Sequence, residues 1–232
     1  MVLLLLLFLL LRIDVSSSLS SSSLSSVVAQ APVSAGTTLI AARYGSGDEW
    51  GIIIGADSRM SRSNYVANRH ARKLTVISPN LVLGRSGSAA VTQQLTEELT
   101  LELERFERSR SPESPSFSRV STAAHILQRL AFGTKDSTTA SLLCVGWDRY
   151  RGLQMYAIPK GGTLVPSSTF VLSGSGSSFI YGWCDMTWRP GMNRNECIQF
   201  VGQAIELAIG RDSLSGADKR LIDITTPNLK RE

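Results

Sequence analysis

The chain has 232 residues, 43% of them hydrophobic, and a formal net charge of +5. That length and apolar content suit one large domain with a full core. The basic excess is mild and has no long basic block. The densest patch, RHARK at 69–73, has no interleaved aromatics, which argues against a nucleic-acid partner.

The chain opens on an apolar run, VLLLLLFLLL at 2–11. It is too short to span a bilayer but has the length of a signal-peptide core. No Lys or Arg precedes it, and the nearest small-x-small site, Ala29-Gln30-Ala31, lies far beyond it with Pro32 directly after. The Ser-rich tract at 16–26 reads as disordered linker. No asparagine sits in an N-x-S/T sequon, which argues against secretion. Residues 1–36 therefore read as a processed leader, and 37–232 as the folded domain.

Regular patterning starts after Gly36. Thr38–Ala42 and Gly51–Asp57 are predicted strands joined by a Gly-containing hairpin loop, RYGSGDEW. Lys73–Ser78 and Leu81–Arg85 are a second pair, joined at Pro79-Asn80. The period then changes: Val91, Leu95, Leu99, Leu103 and Phe106 recur every three or four residues, an amphipathic helix. Residues 109–118 form a solvated loop with prolines. Val120, Ala123, Ala124, Leu127, Leu130 and Ala131 give a second helix, ended by Gly133. Strands return at 139–148, 152–159 and 169–176. Asn193 with Glu196 makes a capping box for a third helix, with Ile198, Val201, Ile205 and Ala208 on one face. A loop at 211–216 and a strand at 220–225 follow. Short turns between strands imply antiparallel sheets, and one-sided helices imply that each group covers a sheet face. The expected class is α+β, two sheets face to face with helices outside.

Cys144, Cys184 and Cys197 have a spacing that matches no zinc or disulfide framework, so they read as buried free thiols of a reducing compartment. His70 and His125 are too few for a histidine metal site. No metal, cofactor or membrane partner is expected.

SGSGSS at 173–178 lacks the Gly-Lys-[ST] of a Walker loop and the third glycine of a dinucleotide fingerprint. It reads as a flexible loop; the alternative is a rigid turn presenting Ser175 to a site. No G-x-S-x-G elbow occurs. Singly, Asp57 and Lys73 read as solvated turn residues. Together, at neighbouring strand ends, they allow an ion pair that could serve beside a nucleophile. Thr37-Thr38-Leu39-Ile40 alone suits the opening of a strand, with Gly36 as a turn residue.

The ordered segments GTTLIAARY, GIIIGADSR, YVANRHARKLT, GRSGSAAVTQ, SGSGSSFIYG and RDSLSGAD resemble the successive signatures of proteasome beta subunits, from Gly36 to about Thr225. YVANR, GRSGSAA and GSGSSFIYG, with Glu196-Cys197 before an apolar helix, resemble the caspase-like beta-1 type. The resemblance implies a four-layer αββα sandwich of the N-terminal nucleophile hydrolase type. It implies a threonine endopeptidase, processed by its own chemistry at Gly36-Thr37 and cleaving after acidic residues. It also implies assembly with other alpha and beta subunits in stacked heptameric rings, unfolded polypeptide as substrate, and residence in cytoplasm and nucleus.

A threonine hydroxyl is a weak nucleophile that needs a base, and a freed α-amine titrating near pH 8 can be that base. The resemblance makes Thr37 nucleophile and, through its amine, general base. Lys73 lies beside its Oγ, and Asp57 orients Lys73. Ser175, Asp212 and Ser215 hold the amine, and the N–H of Gly87 donates to the oxyanion. Arg85 points into the pocket for the residue before the cut, with Met60, Ala71 and Ala89 in its walls. The chain departs from the family pattern in three places. Its 43–50 loop is longer, Met60 and Ala71 stand where Thr is usual, and it ends at Glu232 before the usual tail. Two other readings are a non-catalytic beta subunit and a secreted serine hydrolase. The intact Gly36-Thr37, Asp57 and Lys73 set argues against the first. The second rests on the leucine run and the two histidines, and lacks a nucleophile elbow.

Overall fold

Along Leu39–Ser46 and Glu49–Asp57 nearly every residue is buried, so both faces of these strands are covered. Their alternation still sorts the side chains. Ile40, Ala42, Tyr44 and Ile53 enter one apolar cluster; Leu39, Ala41, Ile52 and Ile54 enter another. A computed structural model describes residues 36–62, 65–109, 119–134 and 137–226. These lie in the compact unit Val33–Glu232.

The strands are β1 (Leu39–Ser46), β2 (Glu49–Asp57), β3 (Met60–Arg62), β4 (Tyr65–Asn68), β5 (Leu74–Ser78), β6 (Leu81–Gly87), β7 (Ala140–Asp148), β8 (Gly152–Ile158), β9 (Val165–Ser167), β10 (Phe170–Ser173) and β11 (Lys219–Thr225). The helices, in chain order, are α1 (Ala89–Arg108), α2 (Val120–Gly133), α3 (Tyr181–Thr187) and α4 (Arg194–Arg211). A four-stranded sheet runs β10-β1-β2-β11, a five-stranded sheet runs β5-β6-β7-β8-β9, and β3-β4 form a separate ribbon. Every pairing is antiparallel. The chain is an α+β protein.

Three apolar clusters hold these elements. Leu95, Leu99 and Leu103 of α1 and Val120, Ala123, Ala124 and Leu127 of α2 pack with Leu81, Leu83, Leu142, Cys144 and Ile158 of the five-stranded sheet. Phe200, Val201, Ala204, Ile205 and Ala208 of α4 pack on the β1-β2 face that carries Ile40, Ala42 and Ile53. The third cluster joins the sheets: Leu39, Ala41, Ile52 and Ile54 meet Val82, Leu143, Val145 and Met155. Such alternating burial of apolar side chains is the main favourable term of folding.

The helix ends follow from caps. Ser88 accepts from Val91 N at the start of α1. Asn193 and Glu196 form a capping box on α4, as expected. Arg119, at the N-cap of α2, makes no side-chain cap; instead Asp148, the last residue of β7, accepts from Val120 N at 3.0 Å. The same carboxylate takes the N–H of Tyr150 and Arg151 and the amide of Gln154.

The structure corrects several expectations. The 43–50 loop is mostly strand, because β1 and β2 stay paired to Ser46 and Glu49 around a turn at Gly47-Asp48. The Arg43 guanidinium, 5.3 Å from the Trp50 ring centroid, covers that hairpin. Strands β3, β4 and β9 and helix α3 have no counterpart in the sequence reading; each is too short to show a period. The strand expected at 169–176 stops at Ser173, and Ser175–Phe179 form a 3-10 turn. The second predicted helix ends at Gly133, as expected. The three cysteines are buried and free, and burial pushes each thiol up to about 12. Among the described residues no helix is long and apolar enough to cross a membrane. The leader expected at 1–36, save Gly36, and the 109–118 loop beyond Ser109 lie outside the described residues.

Candidate active site

The site begins with the register of β1 on β2. Leu39 pairs with Ala56, which sets Thr38 against Asp57. Asp57 Oδ1 accepts from Thr38 N at 2.8 Å, and Asp57 N donates to Thr38 O at 3.2 Å. Asp57 is fully buried, and a buried carboxylate persists only when its oxygens are satisfied. Lys73 Nζ donates to Oδ1 at 2.7 Å, Gly216 N to Oδ2 at 2.8 Å, and Arg59 N to Oδ2 at 3.2 Å.

Lys73 stands just before β5 and is 7% exposed. Its second acceptor is the carbonyl oxygen of Gly36, also at 2.7 Å. Burial lowers the Lys73 pKa from its ordinary value, and the charge of Asp57 and its hydrogen bond oppose that fall. The solvated-turn reading of Asp57 and Lys73 is thereby replaced by a buried pair.

Thr37 is 2% exposed. Its Oγ1 donates to the same Gly36 oxygen at 2.7 Å. Its N–H donates to Ser175 Oγ at 3.2 Å. Ser175 Oγ donates in turn to Asp212 Oδ2 at 2.7 Å. Ser215 is one step removed from the Thr37 nitrogen: it donates to Asp212 Oδ2 at 2.6 Å and lies 2.8 Å from Thr38 Oγ1. Leu214 N donates to Asp212 Oδ1 and fixes the loop that carries both residues.

SGSGSS is an ordered turn. Ser177 Oγ donates to Gly174 O, Ser178 Oγ to Ser175 O, and Gly176 N to Thr37 O at 3.2 Å. Gly174 has φ +91°, and a Cβ there would sit 2.1 Å from Thr37 O, so only glycine admits this approach. The rigid turn that presents Ser175, the less favoured alternative from sequence, is what forms.

Gly87 closes β6 with φ +95°, and a Cβ on it would meet Thr139 O at 2.0 Å. Arg85, two residues earlier, is half-buried. Its Nη2 donates to Arg72 O at 2.6 Å and its main-chain N to Lys73 O at 2.8 Å. Its Nε is buried without a hydrogen-bond partner among the described residues, and burial lowers the guanidinium pKa. Met60 is half-buried in β3 opposite Asn68. Ala71 N donates to Ser58 O at 2.9 Å, two residues before Lys73. Ala89 is exposed at the start of α1.

Sequence reasoning missed Ser58, Arg59 and Gly216, whose main chain binds Asp57 or the segments around it. The only available signal was their place inside GADSR and RDSLSGAD.

Chemically, a threonine hydroxyl lies against a peptide carbonyl whose oxygen also faces a buried lysine. That is the layout of a nucleophile with its electrostatic partner. A profile of the proteasome subunit family matches residues 33–223. The chain is 37% identical over 201 residues to proteasome subunit beta type-6 of Arabidopsis thaliana, covering 87% of this chain and 82% of that protein. It is 38% identical over 200 residues to proteasome subunit beta type-6 of Dictyostelium discoideum, 86% and 89% of the two chains. It is 34% identical over 199 residues to proteasome subunit beta type-1 of Saccharomyces cerevisiae, 86% and 88%. The chain belongs to the proteasome subunit family, on the beta side.

Proposed function

We propose that this chain is a threonine endopeptidase of the proteasome core, activated by cleavage of its own Gly36–Thr37 bond. One observation carries the reading: the Gly36 carbonyl oxygen accepts from both Thr37 Oγ1 and Lys73 Nζ, each at 2.7 Å. Thr37 Oγ adds to the Gly36 carbonyl carbon while Lys73 stabilises charge on its oxygen. The carbon–nitrogen bond breaks, the hydroxyl proton ends on the released nitrogen, and water hydrolyses the resulting ester. The products are a leader ending in a Gly36 carboxylate and a chain beginning with the Thr37 amine. That amine titrates near pH 8, so it takes the Oγ proton when a substrate peptide is attacked. Ser175 and Asp212 hold the nitrogen in place. Gly87 supplies the oxyanion donor, a contribution of roughly 3–4 kcal/mol for one such donor.

The apolar cluster between the sheets and the helices packed on each of them support a four-layer αββα sandwich of the N-terminal nucleophile type. The chain assembles with other proteasome alpha and beta subunits. Its place is the cytoplasm and nucleus, and its substrate is unfolded polypeptide. Arg85, with an unpaired Nε, supports an acidic residue before the cut. The deciding experiment is intact-mass measurement of the chain in assembled particles, alongside a Thr37→Ala variant. A chain starting at Thr37 in the wild type, and uncut at that bond in the variant, supports the reading. A full-length chain in active particles refutes it.

A further inference from the structure

Ser58 follows Asp57 at the end of β2 and is fully buried. Its hydroxyl donates to Arg69 O at 2.5 Å and accepts from Asp218 N at 2.9 Å. Its main chain repeats the pattern: Ser58 O accepts from Ala71 N at 2.9 Å, and Ser58 N donates to Gly216 O at 3.2 Å. One residue thus binds two segments. Segment 69–73 ends on Lys73. Segment 212–218 carries Asp212 and Ser215, and Asp212 holds the serine that takes the Thr37 N–H. The outer link between the segments is the exposed His70–Asp218 pair at 3.1 Å, of a kind that contributes little. Two inner links lie beneath it: the Asp57 carboxylate, which takes Lys73 Nζ and Gly216 N, and the Ser58 hydroxyl, which ties the main chain of Arg69 to that of Asp218.

We infer that Ser58 is a positioning residue for the threonine chemistry, its hydroxyl setting Lys73 and the Ser175–Asp212 pair in one frame around Thr37. This rests on the proposed function above. Replacing the hydroxyl by hydrogen removes the partner of one main-chain acceptor, Arg69 O, and one main-chain donor, Asp218 N, in a half-buried place. Asp57 still joins Lys73 to Gly216, but the outer parts of the two segments lose their common anchor, and a misplacement of about 1 Å in such a constellation costs up to about a hundredfold in rate. Ser58 touches no substrate position, so the loss falls on kcat and not on KM.

The test uses assembled particles in which the other active subunits are silenced. Ser58→Ala is expected to lower kcat at least about tenfold with KM unchanged within about twofold, and to delay removal of the leader, read by intact mass. Ser58→Thr keeps the oxygen and is expected to restore both. If Ser58→Ala does not enter particles, Ser58→Cys replaces it under the same criteria, since a thiol fills the site but is a weak hydrogen-bond partner. Wild-type kcat and leader removal in the Ala or Cys variant would overturn the inference, as would a Thr variant as slow as they are. Thr37→Ala runs beside them. If it keeps turnover, the threonine reading fails and this inference with it. If it is inactive while Ser58→Ala is normal, only the role of Ser58 is lost.

Discussion

Lys73 Nζ lies 2.7 Å from the carbonyl oxygen of Gly36 and 2.7 Å from Asp57 Oδ1, so one buried ammonium joins the carbonyl before Thr37 to the anchored carboxylate. In the proposed function, cleavage at Gly36–Thr37 and cleavage of substrate peptides draw on this same cation. A carboxylate with four donors does not move, and the lysine bound to it is held in turn.

The first consequence concerns the nucleophile. Thr37→Ala should abolish both peptide cleavage at this subunit and the cut at Gly36–Thr37. N-terminal sequencing and mass of the assembled chain check it. An uncut wild-type chain in active particles is the contrary outcome.

Lys73→Ala should reduce turnover to background and slow leader removal. It also leaves Asp57 buried without its cation, a change that costs about 3–5 kcal/mol when one partner of such a pair is removed. Lys73→Arg should fail too, because a planar guanidinium does not replace a compact ammonium between two acceptors. Thermal unfolding separates the two effects: Lys73→Arg should lose activity with a smaller loss of stability than Lys73→Ala. Normal turnover in either variant removes Lys73 from the mechanism.

Arg85→Ala should lose cleavage after Glu or Asp while Thr37 remains exposed by processing. Charge-assisted hydrogen bonds contribute about 1.5–3 kcal/mol each, so acidic residues should be preferred tenfold or more by the wild type. A panel of fluorogenic peptides differing only at the residue before the cut measures this. Preference for basic or large apolar residues there would contradict the assignment.

Asp148 gives a pH test of stability independent of the active site. Burial pushes its carboxyl up, but the hydrogen bonds from Arg151, Gln154, Tyr150 and Val120 outweigh that and hold it below the ordinary value. A carboxyl lowered in the folded state contributes stability at pH above its unfolded value, about 3.9, and loses it as pH falls through the folded value. Asp148→Asn should therefore be less stable by about 1–3 kcal/mol at neutral pH. The difference from the wild type should shrink below about pH 4 in denaturant titrations. A gap that is constant with pH would show that the charge is not involved.

Local pattern alone determined the three long helices. The Val91-Leu95-Leu99-Leu103 spacing, the apolar side of Val120–Ala131 and the Asn193–Glu196 box each span only a few turns, and neighbours in sequence decide them. Most of the strands were legible for the same reason, through alternation and turn residues. The candidate residues Thr37, Asp57 and Lys73 were legible as ordered motifs, before any geometry joined them.

Tertiary structure alone decided the rest. β1 lies between β2 and β10 because both of its hydrogen-bonding edges need partners, and β10 is far away in sequence: Ile40 pairs with Leu172 and Ala42 with Phe170. Ser175 meets the Thr37 nitrogen across a separation of 138 residues, which no local period encodes. The SGSGSS run has the composition of a loose loop, yet it is rigid because its small residues let the chain close onto Thr37 and Thr38. The short elements β3, β4, β9 and α3 hold too few residues for propensity to select them, and pairing or packing with a neighbouring element fixes them. Ser58 lies one residue beyond the predicted strand Gly51–Asp57 and carries no pattern of its own. Its role depends on which two segments fold onto it, and burial of long-range contacts, not local preference, makes that choice.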